Sequence, residues 1–207
     1  MVTTRQLEII VARYKEDISW LNNIKNIKYK SVYNKFYLEN ISLPNIGREA
    51  HTYLYHIYNN YDNLSEINLF SQGDPIFHCP DFISRVNNLH LDKIRLPYFF
   101  GSTGIENCHG NNDSRHPNGL PIYYFLDLLF DKKVSPNDRF TVPYGAIFLV
   151  SKEIILHRPK DFYGFLLKFT TNETTPIEAY IIERLWPFIF DINLSLSLKY
   201  KNFICTD

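Results

Sequence analysis

Three apolar stretches separated by two helical patterns fill the first 75 residues, and that alternation limits the possible folds more than any other feature of the chain. Leu7 to Ala12 is apolar apart from Glu8, the pattern of a strand buried on both faces of a parallel sheet. Arg13 to Asp17 supplies the turn after it, and Asp17 is placed to cap a helix carrying Ile18, Trp20, Leu21 and Ile24. Lys28 to Phe36, centred on Val32 and Tyr33, reads as a second strand with Asn34 and Lys35 near its end. Asn45-Ile46-Gly47-Arg48-Glu49 then opens the strongest helix. Its apolar face is Ala50, Tyr53, Leu54, Ile57 and Tyr58, with Asn45 as the expected cap. Tyr61 to Ser65 turns the chain into an apolar strand that stops at Gln72-Gly73-Asp74. Alternation of this kind predicts an α/β fold whose central sheet is mixed but mostly parallel and flanked by helices. Successive strand ends then bring Arg13, Lys35 and Asp74 to one edge, where open α/β sheets bind ligands.

A chain of 207 residues can bury a substantial core, and the expectation is one domain over 1–207. Lys plus Arg and Asp plus Glu balance at 22 each, so no global field recruits nucleic acid or an anionic membrane. Aromatic residues reach 16%, with 15 Tyr and 16 Phe, which predicts half-buried rings, some of them available to stack on a ligand. No apolar run is long enough for a membrane span or a signal-peptide core. The three cysteines, Cys79, Cys108 and Cys205, cannot all pair. The chain therefore reads as soluble and cytoplasmic, with its oligomeric state open.

Beyond residue 100 the pattern changes. Gly101 to Gly119 is a long polar segment, expected to act as a lid or binding loop. Pro121 to Phe130 reads as a helix, Asp138 to Val142 and Ala146 to Ser151 as strands, and Ile177 to Trp186 as the last helix. There is no internal repeat or low-complexity tract.

Several constellations carry chemistry. Gly73 permits close approach of backbone or phosphate, and Asp74 offers hard oxygens suited to Mg²⁺ or Mn²⁺; the same residues also fit an ordinary turn before Pro75. The Asn45–Glu49 segment sets free N–H groups, a Gly and an Arg at a helix N-terminus, which suits an anion as well as it suits a capped, solvated helix end. His78-Cys79 and Cys108-His109 hold four soft ligands, but their spacing is poor for zinc. His78 alone is placed to meet a phosphate or an acceptor hydroxyl. Glu178 and Glu183 lie five residues apart on the last helix and face different ways, so they do not form a close pair. Gly-x-Ser-x-Gly, Walker and Gly-x-Gly-x-x-Gly motifs are missing.

Taken in order, Ile10-Val11-Ala12-Arg13-Tyr14-x-Glu16-Asp17-x-x-Trp20-Leu21, Pro44-Asn45-x-Gly47-Arg48-Glu49-x-x-x-Tyr53-Leu54 and Phe70-x-Gln72-Gly73-Asp74 resemble the small GT-A-like glycosyltransferase domains of bacterial polysaccharide clusters, fungi and large algal (chlorella) viruses. Tyr144-Gly145-Ala146-Ile147-Phe148-x-Val150-Ser151 and Glu183-Arg184-Leu185-Trp186-Pro187 are similar to that group's carboxyl-terminal half. The resemblance implies a GT-A-type domain that moves a sugar from a nucleotide-diphosphate donor, a UDP-sugar first, to a glycan or other hydroxyl. A divalent metal, Mn²⁺ or Mg²⁺, would bridge the phosphates at Asp74. The group usually carries Asp-x-Asp, and here only one carboxylate stands in the matching tripeptide Gln72-Gly73-Asp74. On this resemblance Ala12, Arg13 and Tyr14 border base and ribose, Gln72 and Gly73 belong to the donor site with Asn45, and Arg48 and Lys35 meet phosphate or sugar. Asp74, His78, Arg158 and Glu183 are the catalytic candidates. A catalytically silent nucleotide-sugar-binding or interaction module is the alternative, and a metal-dependent phosphoesterase a third.

Overall fold

A computed structural model describes residues 6–36, 42–110 and 116–204. Its centre is a five-stranded sheet built from β1 (Leu7–Arg13), β2 (Tyr29–Asn34), β3 (Ile67–Gln72), β4 (Tyr98–Phe99) and β7 (Phe148–Ser151), in the order β2-β1-β3-β7-β4. β1 pairs in parallel with β2 and with β3. β7 then runs antiparallel to both β3 and β4. The sheet is therefore mixed with its pairings evenly divided, not mostly parallel. The βαβ rhythm of the first half produces parallel neighbours, whereas β7 enters between β3 and β4 from the opposite direction. A separate antiparallel pair, β5 (Thr103–Asn107) with β6 (Arg139–Pro143), lies outside this sheet.

The strand pleat divides the interior in two. Leu7, Ile9, Val11, Ile67, Leu69 and Leu149 point to one face and pack with Trp20, Leu21 and Phe82. Ile10, Ala12, Phe70, Phe148 and Val150 point to the other, beneath the helices. Those helices are α1 (Arg48–Asn59), α3 (Ile122–Leu129), α5 (Lys160–Lys168), α6 (Ile177–Ile189) and α7 (Leu198–Ile204). The first face is covered by a 3-10 turn at Ser19–Asn23 and by α2 (Phe82–Asn87); α4 (Lys152–Leu156) follows β7. Glu8, the break in the first apolar run, is satisfied inside: its two oxygens accept from the Ser31 and Ser65 hydroxyls, each at 2.7 Å.

α1 buries more than its expected apolar stripe. Ala50, Tyr53, Leu54 and Ile57 are sealed, and so are His51, Thr52 and His56, because α5 packs against the helix as well as the sheet. Several elements differ from the sequence reading. The Ile18–Ile24 segment is a 3-10 turn, too short to complete an α-helix. The segment Gly101–Gly119, expected as one long lid or binding loop, contains strand β5, and its residues 111–115 lie outside the described residues. α6 runs to Ile189 despite Pro187, and α7 follows it, so α6 is not the last helix. No helix among the described residues is long and apolar enough to cross a membrane.

Candidate functional site

The carboxyl ends of β1, β2 and β3 and the start of α1 enclose a cavity of about 380 Å³. Ala12, Arg13, Tyr14, Lys35, Asn45 and Gln72 line it, together with Arg48. These are the donor-side residues of the sequence reading, drawn from three strand ends and one helix start. Each has a local reason for its place. Arg13 donates from Nε to Glu16 O at 3.0 Å and from Nη1 to Asn34 Oδ1 at 3.1 Å, which ties the ends of β1 and β2 together. Glu16 Oε2 accepts from the Tyr14 N–H at 2.6 Å and the Lys15 N–H at 3.1 Å, folding the turn back on itself. Tyr14 and Phe36 meet edge to face at 5.2 Å at the rim.

Lys35 is buried. Its Nζ donates to Ile46 O at 2.6 Å and also to Arg48 O. Burial, opposed by the nearby Glu49 carboxylate and reinforced by Arg48, brings its ammonium down to about 8.

Arg48 starts α1 from a left-handed backbone, φ +51°, directly after Gly47 at φ +60°. A Cβ on Gly47 would stand 2.3 Å from Thr170 O, so only glycine fits. The helix end expected to hold an anion on free N–H groups is closed from the back. The Gly47 N–H donates to Glu173 O at 2.8 Å and the Arg48 N–H to Thr174 O at 3.2 Å. Gly47 rather than Asn45 occupies the cap position, and Asn45 faces the cavity instead. The Arg48 guanidinium turns toward Tyr180, with Nη1 donating to the hydroxyl at 3.2 Å and Cζ 4.8 Å from the ring centre. Its Nε lies 3.6 Å from Glu49 Oε2.

Arg48, Glu49 and Gln72 form the partition to a second cavity of about 450 Å³, which holds His78 and Glu183. Gly145 joins its parts. The Gly145 carbonyl accepts from Gln72 Nε2 at 2.9 Å, its N–H donates to Glu183 Oε1 at 2.9 Å, and His78 packs so closely that a Cβ there would sit 2.8 Å from His78 Cγ. Gly145 at φ +88° and Ala146 at φ +46° repeat the left-handed pair seen at Gly47–Arg48. Both strained pairs therefore border the same cleft, as backbone strain at functional sites often does.

Three expected residues lie elsewhere. Gly73 is glycine because Glu16 packs on it, where a Cβ would meet Glu16 Oε2 at 2.6 Å; its carbonyl accepts from Trp20 Nε1 at 2.8 Å. Asp74 is exposed, outside both cavity linings, and caps the 3-10 turn Pro75–Phe77 by accepting from the Phe77 N–H at 3.4 Å. Arg158 is the clear correction. It follows α4 beyond the end of β7, where Ser151 pairs with Ile67, so it belongs to the opposite edge of the sheet. Its guanidinium donates to two carbonyls at the end of α6, those of Ile189 (3.1 Å) and Phe188 (3.4 Å), and to two in the turn after it, those of Asp191 (2.7 Å) and Leu194 (2.6 Å). It closes a helix C-terminus whose carbonyls have no partner within the helix.

Sequence reasoning named Glu183 but missed two inward-facing carboxylates, Glu49 beside Arg48 and Glu106 beside Arg184. Glu49, read only as part of a helix start, is buried beside Glu183. Burial and the Glu183 charge raise its carboxyl, against the pull of Arg48. Glu106, in β5, is also buried and accepts from Arg184 at 2.8 Å (Nε to Oε2) and 3.1 Å (Nη2 to Oε1), while the Tyr144 hydroxyl donates to it at 2.9 Å. Cys79 and Cys108 lie in cores on opposite faces of the sheet, which separates the two His–Cys pairs. Among the described residues no three His, Cys, Asp or Glu side chains gather as a metal site.

Fold and site together define an open α/β sheet covered on both faces, with a two-part polar cleft at the carboxyl edge of its parallel strands. The chain belongs to the DUF3431 family, described as a protein of unknown function, and the match covers residues 9–206. Searches of curated proteins and of solved structures returned no match.

Proposed function

We propose that this chain is a glycosyltransferase of GT-A type that binds a nucleotide-diphosphate sugar, a UDP-sugar first, and passes the sugar to a hydroxyl of a glycan. The observation that carries the reading is the cavity at three consecutive strand ends, where Ala12, Arg13, Tyr14, Lys35, Arg48 and Gln72 converge. A volume of about 380 Å³ is within the range of small-molecule sites. Base and ribose would lie along Ala12–Tyr14, and the diphosphate would lie between Lys35 and Arg48, whose charges oppose its own.

In the reaction the bond between the anomeric carbon and the diphosphate oxygen breaks with its electron pair going to the diphosphate. A bond from the acceptor oxygen to that carbon forms, and the hydroxyl proton passes to Glu183 or His78 in the adjoining cavity. Arg48 and Lys35 stabilise the negative charge that grows on the leaving group. Asp74 offers one exposed carboxylate near this edge. That fits Mn²⁺ or Mg²⁺ only with most of the ion's shell drawn from diphosphate and water, and a bound ion there would supply further charge neutralisation. The free thiols of Cys79 and Cys108 suit a reducing, cytosolic setting.

Asp74 standing outside both cavities favours one second reading, a module that binds the donor without turning it over. Calorimetric titration of UDP with Mn²⁺, followed by ³¹P NMR of UDP-sugars incubated with the protein, separates these readings. Binding with release of UDP supports the transferase, binding without release supports the module, and no binding overturns both. Asp74→Ala should weaken Mn²⁺-dependent binding more than Asp62→Ala, an exposed control, and equal effects would remove the metal from Asp74.

A further inference from the structure

The two cavities differ in charge although they share a wall. The first sets Arg13, Lys35 and Arg48 against Glu16 and Glu49. In the second, Arg184 is neutralised by its paired contact with Glu106, and its Nη1 donates to Tyr180 O at 3.0 Å. Arg48 is left to face both Glu49 and Glu183. Glu183 lies 3.7 Å from Arg184 Nη1, too long for a hydrogen bond, and its remaining close contact is the Gly145 N–H. The second cavity therefore sets two carboxyl groups against the one cation not already paired with Glu106, which disfavours a second anion.

Its mouth has one further feature. Phe77, at 78%, is the most exposed phenylalanine among the described residues. The backbone N–H of Phe77 donates to Asp74 Oδ1 at 3.4 Å, and His78 meets the ring edge to face at 4.9 Å. An aromatic face held in water beside a cavity lined by Tyr144, Tyr180 and two carboxylates pairs an apolar platform with a hydrogen-bonding rim. A pyranose has the matching construction, with axial C–H groups on one face and hydroxyls around its edge.

We propose that the second cavity binds a pyranose ring stacked on Phe77, its hydroxyls or an ammonium group received by Glu49 and Glu183, and that it takes an amino sugar best, a neutral sugar next and a uronate least. As the acceptor subsite this rests on the donor reading above, but the binding itself does not.

Saturation-transfer NMR on the full chain, with and without UDP, tests it using the methyl glycosides of glucosamine, glucose and glucuronic acid. The expected result is transfer to one face of the ring and an affinity at least about tenfold higher for the amine than for the uronate. Phe77→Ala should weaken all three glycosides by roughly fivefold or more, with thermal unfolding showing that the exposed substitution leaves the fold intact. Glu183→Gln should bring the amino sugar down to the level of the neutral one. Uronate binding as tightly as the amine, or Phe77→Ala without effect, would overturn the proposal. If UDP binds and no glycoside does under either condition, this inference fails while the donor reading stands. If the glycosides bind in the stated order and UDP does not bind, the donor reading fails alone.

Discussion

Arg48 and Arg158 are the same side chain at opposite edges of one sheet, and what their guanidinium groups touch separates them. Arg158 is sealed against backbone carbonyls at and just beyond the end of α6, and its ring neighbours Phe130 and Phe162 complete the enclosure. Arg48 lies on a left-handed backbone between two cavities, facing a tyrosine and two carboxylates. A cation that completes a helix end contributes to stability. A cation held in a strained turn beside open volume is, on the proposed function, the one that meets the ligand. The following expectations separate the closed interior from the open cleft.

Acid should have the largest effect, and it acts on the interior. Burial holds His51 and His56, on α1, down at about 4 from an ordinary 6.5; Lys35 adds to the shift at His51, and Glu8 opposes it at His56. Between those values the unfolded chain takes up protons that the folded chain refuses. Stability from these rings is therefore complete above pH 6.5 and is lost progressively as pH falls toward 4. Urea unfolding at a series of pH values checks this, and a flat profile from pH 7 to 5 would show that these rings do not stay neutral.

Arg158→Met comes next. Leaving the end of α6 without its donor should lower unfolding stability by about 3 kcal/mol, measured by urea unfolding, with UDP affinity of the folded protein unchanged. Loss of binding at full stability would reverse the contrast between the two arginines.

Arg48→Gln should do the opposite. UDP binding should weaken by about tenfold to a hundredfold in calorimetry, with a smaller loss of stability than Arg158→Met.

The smallest expected effect is a pH dependence of binding. UDP affinity should fall several-fold as pH rises through about 8, where the Lys35 ammonium loses its proton, and Lys35→Met should bind more weakly with a flatter profile.

Much of the first half was legible in the sequence because its signals are local. The apolar run of β1, the helical spacing from Ala50 and the stop at Gln72 each lie within a few residues. Together they gather Ala12, Arg13, Tyr14, Lys35, Asn45, Arg48 and Gln72 at one cavity. The direction of β7 was not legible, since an apolar strand has the same pattern whichever way it enters a sheet. Arg158 was misread for the same reason: once β7 is reversed, the residues that directly follow Ser151 start from the far edge. The Glu106–Arg184 pair spans 78 residues and has no spacing signature, and Glu49 beside Glu183 depends on α1 meeting α6. Gly73 was assigned to a ligand when a side chain of the protein, Glu16, makes the close approach.

The central claim, that the carboxyl edge of the parallel strands holds a nucleotide diphosphate, is tested most directly by following backbone amide shifts as UDP is added to isotopically labelled protein up to about 5 mM, a range that reveals weak binding. The account predicts saturable shifts concentrated at Ala12, Arg13, Tyr14, Lys35, Arg48 and Gln72, with Glu66, Leu156 and Ile192 on the far side unmoved. Shifts gathered at Glu66, Leu156 and Ile192, or no shift anywhere at that concentration, would contradict it.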